Sequence, residues 1–383
     1  MTSHEAASQM TGYLYQVRYA LLLLLESEKQ NNKISIEKFD DISFDDGFSA
    51  VEMIQTKHHG VAGDLGDKSV DLWKTIKVWL DQIEEHPDLL TSCRFLLITT
   101  QTASEDSAAS LLRKNHRDEE KAIRLLQAVA EKRGNEALYS IYDKFLETEA
   151  TTLKDLFKAI EVVDGAPQVS DLEGKIRNRV RLCCYHGYEE RVMEQVEGWW
   201  FRLAVKALSS PDHTLLDFIA LQNKVVAIGH QYQPDNLPIE DWAFEEISDV
   251  ELEQDQRIFV QQLRLIEGNN RLLRQAIKNY YRAYQQRSRW AREEELLLPN
   301  ELEDYEKRLL DEWEQTKALM EDDDDAAKQG RELYRRIMEK DITIRKLCTA
   351  PFVMRGSYEM LADKLEVGWH RDFVSRLSSL LAV

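Results

Sequence analysis

The sequence predicts an α/β domain followed by a mainly α-helical domain, and three observations carry that prediction. Up to about residue 165 the apolar residues alternate between helical and strand spacing. Within that stretch CRFLLITT, Cys93 to Thr100, is a continuous apolar run of the kind found in buried central strands. Beyond Gly165 and Pro167 the pattern is helical, broken into loop only around Pro211 and from Tyr232 to Trp242. A chain of 383 residues is long for a single core, so the expected domains are 1–165 and 166–383.

From Ala6 to Ser27, Tyr13, Val17, Ala20, Leu21, Leu24 and Leu25 recur at helical spacing and predict a core-facing helix. Gln16, near its start, could approach the polar end of the hairpin that follows, but a solvated side chain is the favoured expectation. Next comes a hairpin. Its first strand carries Ile34, Ile36, Phe39, Ile42 and Phe44, interrupted by Asp40 and Asp41, and its second carries Val51, Met53 and Ile54 before Gln55, Thr56 and Lys57. Asp45, Asp46 and Gly47 between them are turn chemistry. Gly60, Gly63 and Gly66 predict a flexible loop, and Ser69 or Asp71 can cap a helix through Glu85 with Leu72, Trp73, Ile76, Trp79 and Ile83 inward. After the apolar strand, residues 104 to 160 read as helical, and Ile160 to Val163 as a strand returning to the sheet. In the second domain Trp199, Trp200 and Leu203 read as core.

Composition narrows the function. Net charge is −19, from 50 basic and 69 acidic residues. Long-range repulsion from DNA argues against nonspecific coating of nucleic acid, though not against a nuclease with a local basic surface or one that meets DNA after assembly. No apolar run approaches the ~20 residues of a membrane span, and MTSHEAASQM has neither the basic start nor the apolar stretch of a secretory signal. Four cysteines without a C-x-x-C pair imply no disulfide frame. The expected location is cytoplasmic, with no membrane partner. Neither a phosphate loop nor G-x-G-x-x-G nor G-x-S-x-G is present; if ATP drives the system, another chain hydrolyses it.

One segment could contradict the acidic balance. Between Arg257 and Arg292 nine basic residues stand against one acid, interleaved with Tyr280, Tyr281, Tyr284 and Trp290. Such a mixture can contact phosphates or bases, but acids crowd both flanks, Glu240 to Asp255 and Glu293 to Asp325. Pairing within the chain or with a partner protein is therefore the favoured expectation. The acids Glu321 to Asp325 read as a solvated turn.

The polar end of the hairpin is where chemistry concentrates. Strand alternation puts Gln55 and Lys57 on one face about 6.5 Å apart, and the hairpin partner can bring Asp41 beside them. A carboxylate and an amide oxygen suit Mg2+, which prefers oxygen ligands and keeps several waters, while a lysine can orient the attacking water and offset charge at phosphorus. A solvated hairpin with acids at its turn is the competing reading. Against it, the acids adjoin apolar Phe39 and Ile42, and Gln55 and Lys57 continue an apolar strand, so these polar groups need a shared partner. His58 and His59, with no third His or Cys at ligand spacing, read as a surface pair.

The order Asp, short loop, then Gln-x-Lys on the next strand resembles the restriction-endonuclease-like (PD-(D/E)xK) nuclease core, with glutamine replacing the usual acid. GYLYQ at Gly12 to Gln16, EKFDDISF at Glu37 to Phe44, IQTKHH at Ile54 to His59 and DLWKTIKVWL at Asp71 to Leu80 resemble the double-stranded DNA endonuclease domain of bacterial anti-phage effectors. LPIEDW at Leu237 to Trp242 and GSYEMLADKLEVGWHRDF at Gly356 to Phe373 resemble the C-terminal domain of ABC-three-component defence systems. Together they cover most of the chain and resemble the effector nuclease subunits of the Lamassu (DdmABC) anti-phage and anti-plasmid systems. The resemblance implies a Mg2+-dependent double-stranded DNA endonuclease, with Mn2+ as a substitute ion. It further implies an SMC-like ABC ATPase and a small third subunit that hold the nuclease silent until release, and a homo-oligomer when active.

Carried over to this chain, the catalytic residues are Asp41, Gln55 and Lys57, with Asp41 and Gln55 as metal ligands. Asp41, directly before Ile42, fits the family strand better than Asp40, and both stay candidates. Glu37, a lesser site candidate, lies on the face of Asp41, but four residues along a strand is about 13 Å, too far for both to bind one ion directly. The alternative function is a non-catalytic adaptor that docks on the ATPase through the helical domain.

Overall fold

The computed structural model describes residues 3–45, 49–59, 63–210, 215–241, 248–293, 296–321 and 323–382. It divides into two compact units, Met1–His230 and Gln231–Val383.

In the first unit, helix α1 (Ser3–Leu25) precedes strands β1 (Lys33–Ile36), β2 (Ile42–Asp45), β3 (Ala50–Lys57) and β4 (Asp64–Leu65). Helices α2 (Val70–Glu85) and α3 (Leu89–Ser92) lead to β5 (Arg94–Thr99) and β6 (Thr102–Ala103). Then come α4 (Glu119–Lys132), α5 (Tyr139–Glu147), α6 (Ala150–Ala159), β7 (Ile160–Val163), α7 (Val169–Val180), α8 (Glu189–Leu208), β8 (Leu216–Asp217) and α9 (Phe218–Gln231). Six strands form one sheet in the order β7-β5-β3-β2-β1-β8, while β4 and β6 pair separately. β1, β2 and β3 are antiparallel neighbours, and β3, β5 and β7 run parallel. The apolar run was thus rightly central: β5 lies between two parallel neighbours, with Phe95, Leu97 and Ile98 buried.

One face of the sheet is packed by Leu72, Trp73, Ile76, Trp79 and Ile83 of α2, all expected to point inward, together with Leu126, Phe145 and Phe157 from α4, α5 and α6. Trp73 meets Tyr142 edge-on with ring centroids 4.8 Å apart, a favoured aromatic geometry. Helix α1 packs on β1 and β3 and also against α7 and α8. Enclosure on two sides explains why Tyr15, Gln16, Tyr19, Ala20, Leu21, Leu22 and Leu24 are all buried, a wider stripe than one amphipathic face. Tyr13, expected inward, is instead 57% exposed.

The boundary expected at 165/166 falls inside the first unit. Trp200 Nε1 donates to Val17 O at 2.7 Å, Arg18 forms a bidentate pair with Glu197 at 2.5 and 2.8 Å, and β8 pairs with β1. Gly165 and Pro167 mark a turn after β7, not a linker: the Gly165 and Ala166 amides donate to Gln101 O and Thr99 O. Trp200 is core as expected, while Trp199 is half-buried.

The hairpin is also more folded than expected. The first predicted strand is two strands, β1 and β2, reversed by residues 37–41, where Glu37 takes a left-handed backbone (φ 56°) and its amide donates to Asp41 O at 3.1 Å. Asp46 and Gly47, the expected turn to β3, and Gly60 of the glycine loop lie outside the described residues.

The second unit is helical: α10 (Asp249–Gln254), α11 (Ile258–Leu265), α12 (Asn270–Arg292), α13 (Glu301–Ala318), α14 (Ala326–Met338), α15 (Pro351–Asp363) and α16 (Phe373–Leu377). Its centre is the α12–α15 pair. Gly356 makes that approach possible, since a Cβ there would sit 2.1 Å from Asn279 O and 2.4 Å from Ala283 Cβ. Among the described residues, no helix of either unit is long and apolar enough to cross a membrane.

Candidate functional site

Asp41, Gln55 and Lys57 meet at the end of β3. The β2–β3 register pairs Ile42 with Ile54, which leaves Asp41 opposite Gln55 one step on. Gln55 Nε2 donates to Asp41 Oδ1 at 3.2 Å, and Lys57 Nζ donates to Gln55 Oε1 at 2.7 Å. Asp41 Oδ2 accepts from Thr56 N at 2.8 Å and from Thr56 Oγ1 at 3.1 Å. Because β3, β5 and β7 are parallel, this cluster sits at their carboxyl ends, the edge at which open sheets with parallel strands bind ligands.

Asp40 and Asp41 have different environments. Asp40 is buried, and its Oδ2 accepts from Trp79 Nε1 at 2.8 Å while its Oδ1 accepts from Asp41 N at 3.0 Å and from Gln55 Nε2. Burial lifts its pKa to about 6, the Asp41 charge adds to the rise, and the hydrogen bonds from Gln55 and Trp79 restrain it. Asp41 is half-buried, so of the two it is the one that solvent or substrate can reach.

Glu37 is closer than strand spacing allowed. The reversal at 37–41 replaces the expected 13 Å span, and the carboxylate feels both Asp41 and Lys57 electrostatically. Glu37 is exposed as a residue, but partial desolvation by its neighbours raises the pKa, as does Asp41, while a hydrogen bond from Gln16 and the Lys57 charge lower it. Gln16 is not solvated: it is 9% exposed, and its Oε1 is buried without a hydrogen-bond partner. Its position one and two helical turns before buried Ala20 and Leu24 was the available signal, since i and i+4 share a face. Trp79 is core, as its helical spacing predicts, and an indole N–H inside a core seeks an acceptor, which here is Asp40.

The oxygens here fit a hard divalent cation. Asp41 supplies a carboxylate, Glu37 adds a second nearby, and the unpartnered Gln16 Oε1 is a buried acceptor of the sort that calls for an ion or water; the Gln55 amide oxygen is held by Lys57 Nζ, which an ion would have to displace. Among the described residues no group of three or more His, Cys, Asp or Glu side chains could hold a metal ion, so an ion here would depend on amide oxygens and water. The histidines are engaged elsewhere. His59 Nε2 lies 2.7 Å from Asp71 Oδ2, and the His58 ring packs on Tyr15 at 4.9 Å.

The basic segment of the second unit is largely spoken for. Arg257 pairs with Asp255, Arg274 with Asp249, Arg287 with Glu306, and Arg289 with Glu240 and Glu293. Arg264 donates to the carbonyls of Leu252 and Asp255. Pairing within the chain, the favoured expectation, accounts for these five. The other motif residues of this unit are scaffold: Gln286 and Trp290 both donate to Pro238 O, and Tyr358 donates to Leu309 O. Trp242 of the first motif lies outside the described residues.

Residues 259–377 match the family model for C-terminal domain 7 of the ABC-three component (ABC-3C) systems. The matched stretch covers most of the second unit. No curated protein matches the chain. Similar solved structures include the Acinetobacter baumannii Cap4 SAVED/CARF-domain containing receptor with the cyclic trinucleotide 2'3'3'-cAAA, at 12% identity and a TM-score of 0.34, over 67% of this chain and 58% of that one. The Moraxella osloensis Cap4 SAVED/CARF-domain containing receptor is similar at 13% identity and a TM-score of 0.35, over 67% of this chain and 60% of that one. The chain thus spans about three fifths of the length of each.

Proposed function

We propose that the first unit is a restriction-endonuclease-like nuclease, a Mg2+-dependent double-stranded DNA endonuclease that serves as effector of an ABC-three-component defence system. The convergence of Asp41, Gln55 and Lys57 at the carboxyl end of β3 is the observation that carries this reading. Asp41 and Gln55 would hold the ion, and Glu37 and Gln16 would meet it through water or directly. When bound, Mg2+ polarises a phosphoryl oxygen and lowers the pKa of its water. Lys57 places its ammonium beside the Gln55 oxygen, from where it would orient the attacking water and offset the charge that accumulates at phosphorus. Thr56 holds Asp41 in place through two hydrogen bonds. Partners of this reading are an SMC-like ABC ATPase and a small third subunit that keep the nuclease silent, with a homo-oligomer as the active form; it belongs to the Lamassu type.

A second reading rests on a particular observation: Asp41, Gln55 and Lys57 are linked by hydrogen bonds of their own, and Thr56 completes the partners of Asp41. A non-catalytic adaptor docking through its ABC-3C domain would need nothing more. Plasmid incubated with the chain, alone and with its ATPase and third subunit, in Mg2+ or EDTA, separates the two. EDTA-sensitive linearisation is expected in at least one assembly; its absence in all of them leaves the adaptor.

A further inference from the structure

We propose that Asp40 is the positioning residue of this cluster and the reason that position 55 carries an amide. Three donors converge on the Asp40 carboxylate. Trp79 Nε1 holds Oδ2 at 2.8 Å, and Asp41 N holds Oδ1 at 3.0 Å beside the Gln55 amide nitrogen. Indole and backbone N–H groups only donate, so both oxygens of Asp40 must act as acceptors. What faces Gln55 is therefore an acceptor, and the NH2 end of its amide turns inward. The carbonyl end turns outward and takes the Lys57 ammonium at 2.7 Å.

Asp40 thus orients Gln55, and Gln55 in turn holds Lys57. A glutamate at position 55 would bring a carboxylate against the buried Asp40 with Asp41 beside it, three acids in one place, and the like charges would oppose ionisation. In this arrangement the buried carboxylate of the site belongs to Asp40, on the far side of Gln55 from Lys57. Asp40 acts through Gln55 and touches no substrate.

A double-mutant cycle tests the coupling on the full chain, without divalent cation or DNA. Asp40→Asn leaves an amide nitrogen facing donors, and Gln55→Glu sets carboxylate against carboxylate. Each is expected to lower the unfolding midpoint by about 5 °C. The combined variant restores a donor–acceptor pair with its polarity reversed, a donor at 40 and an acceptor at 55 that can also receive Lys57. Because Asp41 still faces the new carboxylate, recovery is partial: at least half of the summed loss should return. Strictly additive losses, or a combined variant that does not fold, overturn the proposal; a single variant that fails to fold and is rescued by the second change supports it. Purely steric packing would give no such recovery, since both changes are isosteric. The cleavage role of Asp40 rests on the nuclease reading, but this cycle does not: coupling without any cleavage would sink that reading alone.

Discussion

Asp40 in the first unit and Glu359 in the second are both carboxylates removed from water, and their neighbours make them different objects. Burial raises both pKa values, to about 6 for Asp40 and about 8 for Glu359. Asp40 has three donors and lies directly behind half-buried Asp41 and Lys57 at a sheet edge. Glu359 has one, the Tyr334 hydroxyl at 2.7 Å, and its Oε2 has no partner. The first unit therefore backs an accessible cluster with a buried charge, while the second seals an acid between helices. A perturbed carboxylate points to chemistry only where reachable polar groups adjoin it.

The largest expected effect tests the accessible cluster. Lys57→Ala should reduce cleavage by about 10³-fold, with an unfolding midpoint within about 3 °C of the parent because Lys57 is only half-buried. Cleavage at the parental rate in a plasmid-nicking assay would remove Lys57 from the site. On the sealed side, Gly356→Val should cost about 3 kcal/mol or more in thermal unfolding. Its side chain would meet Asn279 O and the Ala283 methyl, and helix backbone cannot give way cheaply. A midpoint equal to the parent's would show that α12 and α15 are not so tightly packed.

The comparison also explains what could be read in advance. The α2 stripe and the β5 run were legible because each buries a face with a fixed period, and Asp41, Gln55 and Lys57 because strand spacing constrains neighbours. Glu37 and Gln16 were not. The left-handed turn at Glu37 comes from a non-glycine residue, which gives no sequence signal, and it brings position 37 back toward 41. Gln16 is buried on the side of α1 where it hydrogen-bonds the Glu37 carboxylate, so its burial depends on that same turn. The packing of α7 and α8 on α1 moved the domain boundary: Gly165 and Pro167 look like a linker until the bonds from the Gly165 and Ala166 amides to Gln101 O and Thr99 O are known.

Glu359→Gln sharpens the sealed side of the comparison. A carboxyl group whose pKa rises from 4.5 to about 8 on folding binds more protons folded than unfolded between those values. Its stabilising contribution is complete below the lower value and is lost as pH climbs through the upper one. Burial is the main cause of the rise; the Asp363 charge adds to it, and the hydrogen bond from Tyr334 holds it back. The parent should thus lose on the order of 3 to 4 kcal/mol of stability between about pH 5 and pH 8 from this group. The substituted amide still accepts from Tyr334 but does not titrate, so the variant's denaturation curves at the two pH values should lie closer together. Parallel pH dependence in parent and variant would contradict the burial of a titrating group.

The smallest effect belongs to the basic helix and is informative for that reason. Arg274 and Asp249 form an exposed pair, with side chains 36% and 76% accessible, and such pairs contribute roughly 0–1 kcal/mol. Arg274→Ala should shift the midpoint by no more than about 2 °C, an effect that fades with added salt. If the helix is pairing with its own flanks, the variant should also leave DNA affinity and its salt dependence unchanged. A phosphate contact would instead lower the slope of log K against log salt by about 0.9. A drop of that size would turn this helix from scaffold into a nucleic-acid surface and erase the contrast between the two units, because both would then present chemistry to the same substrate.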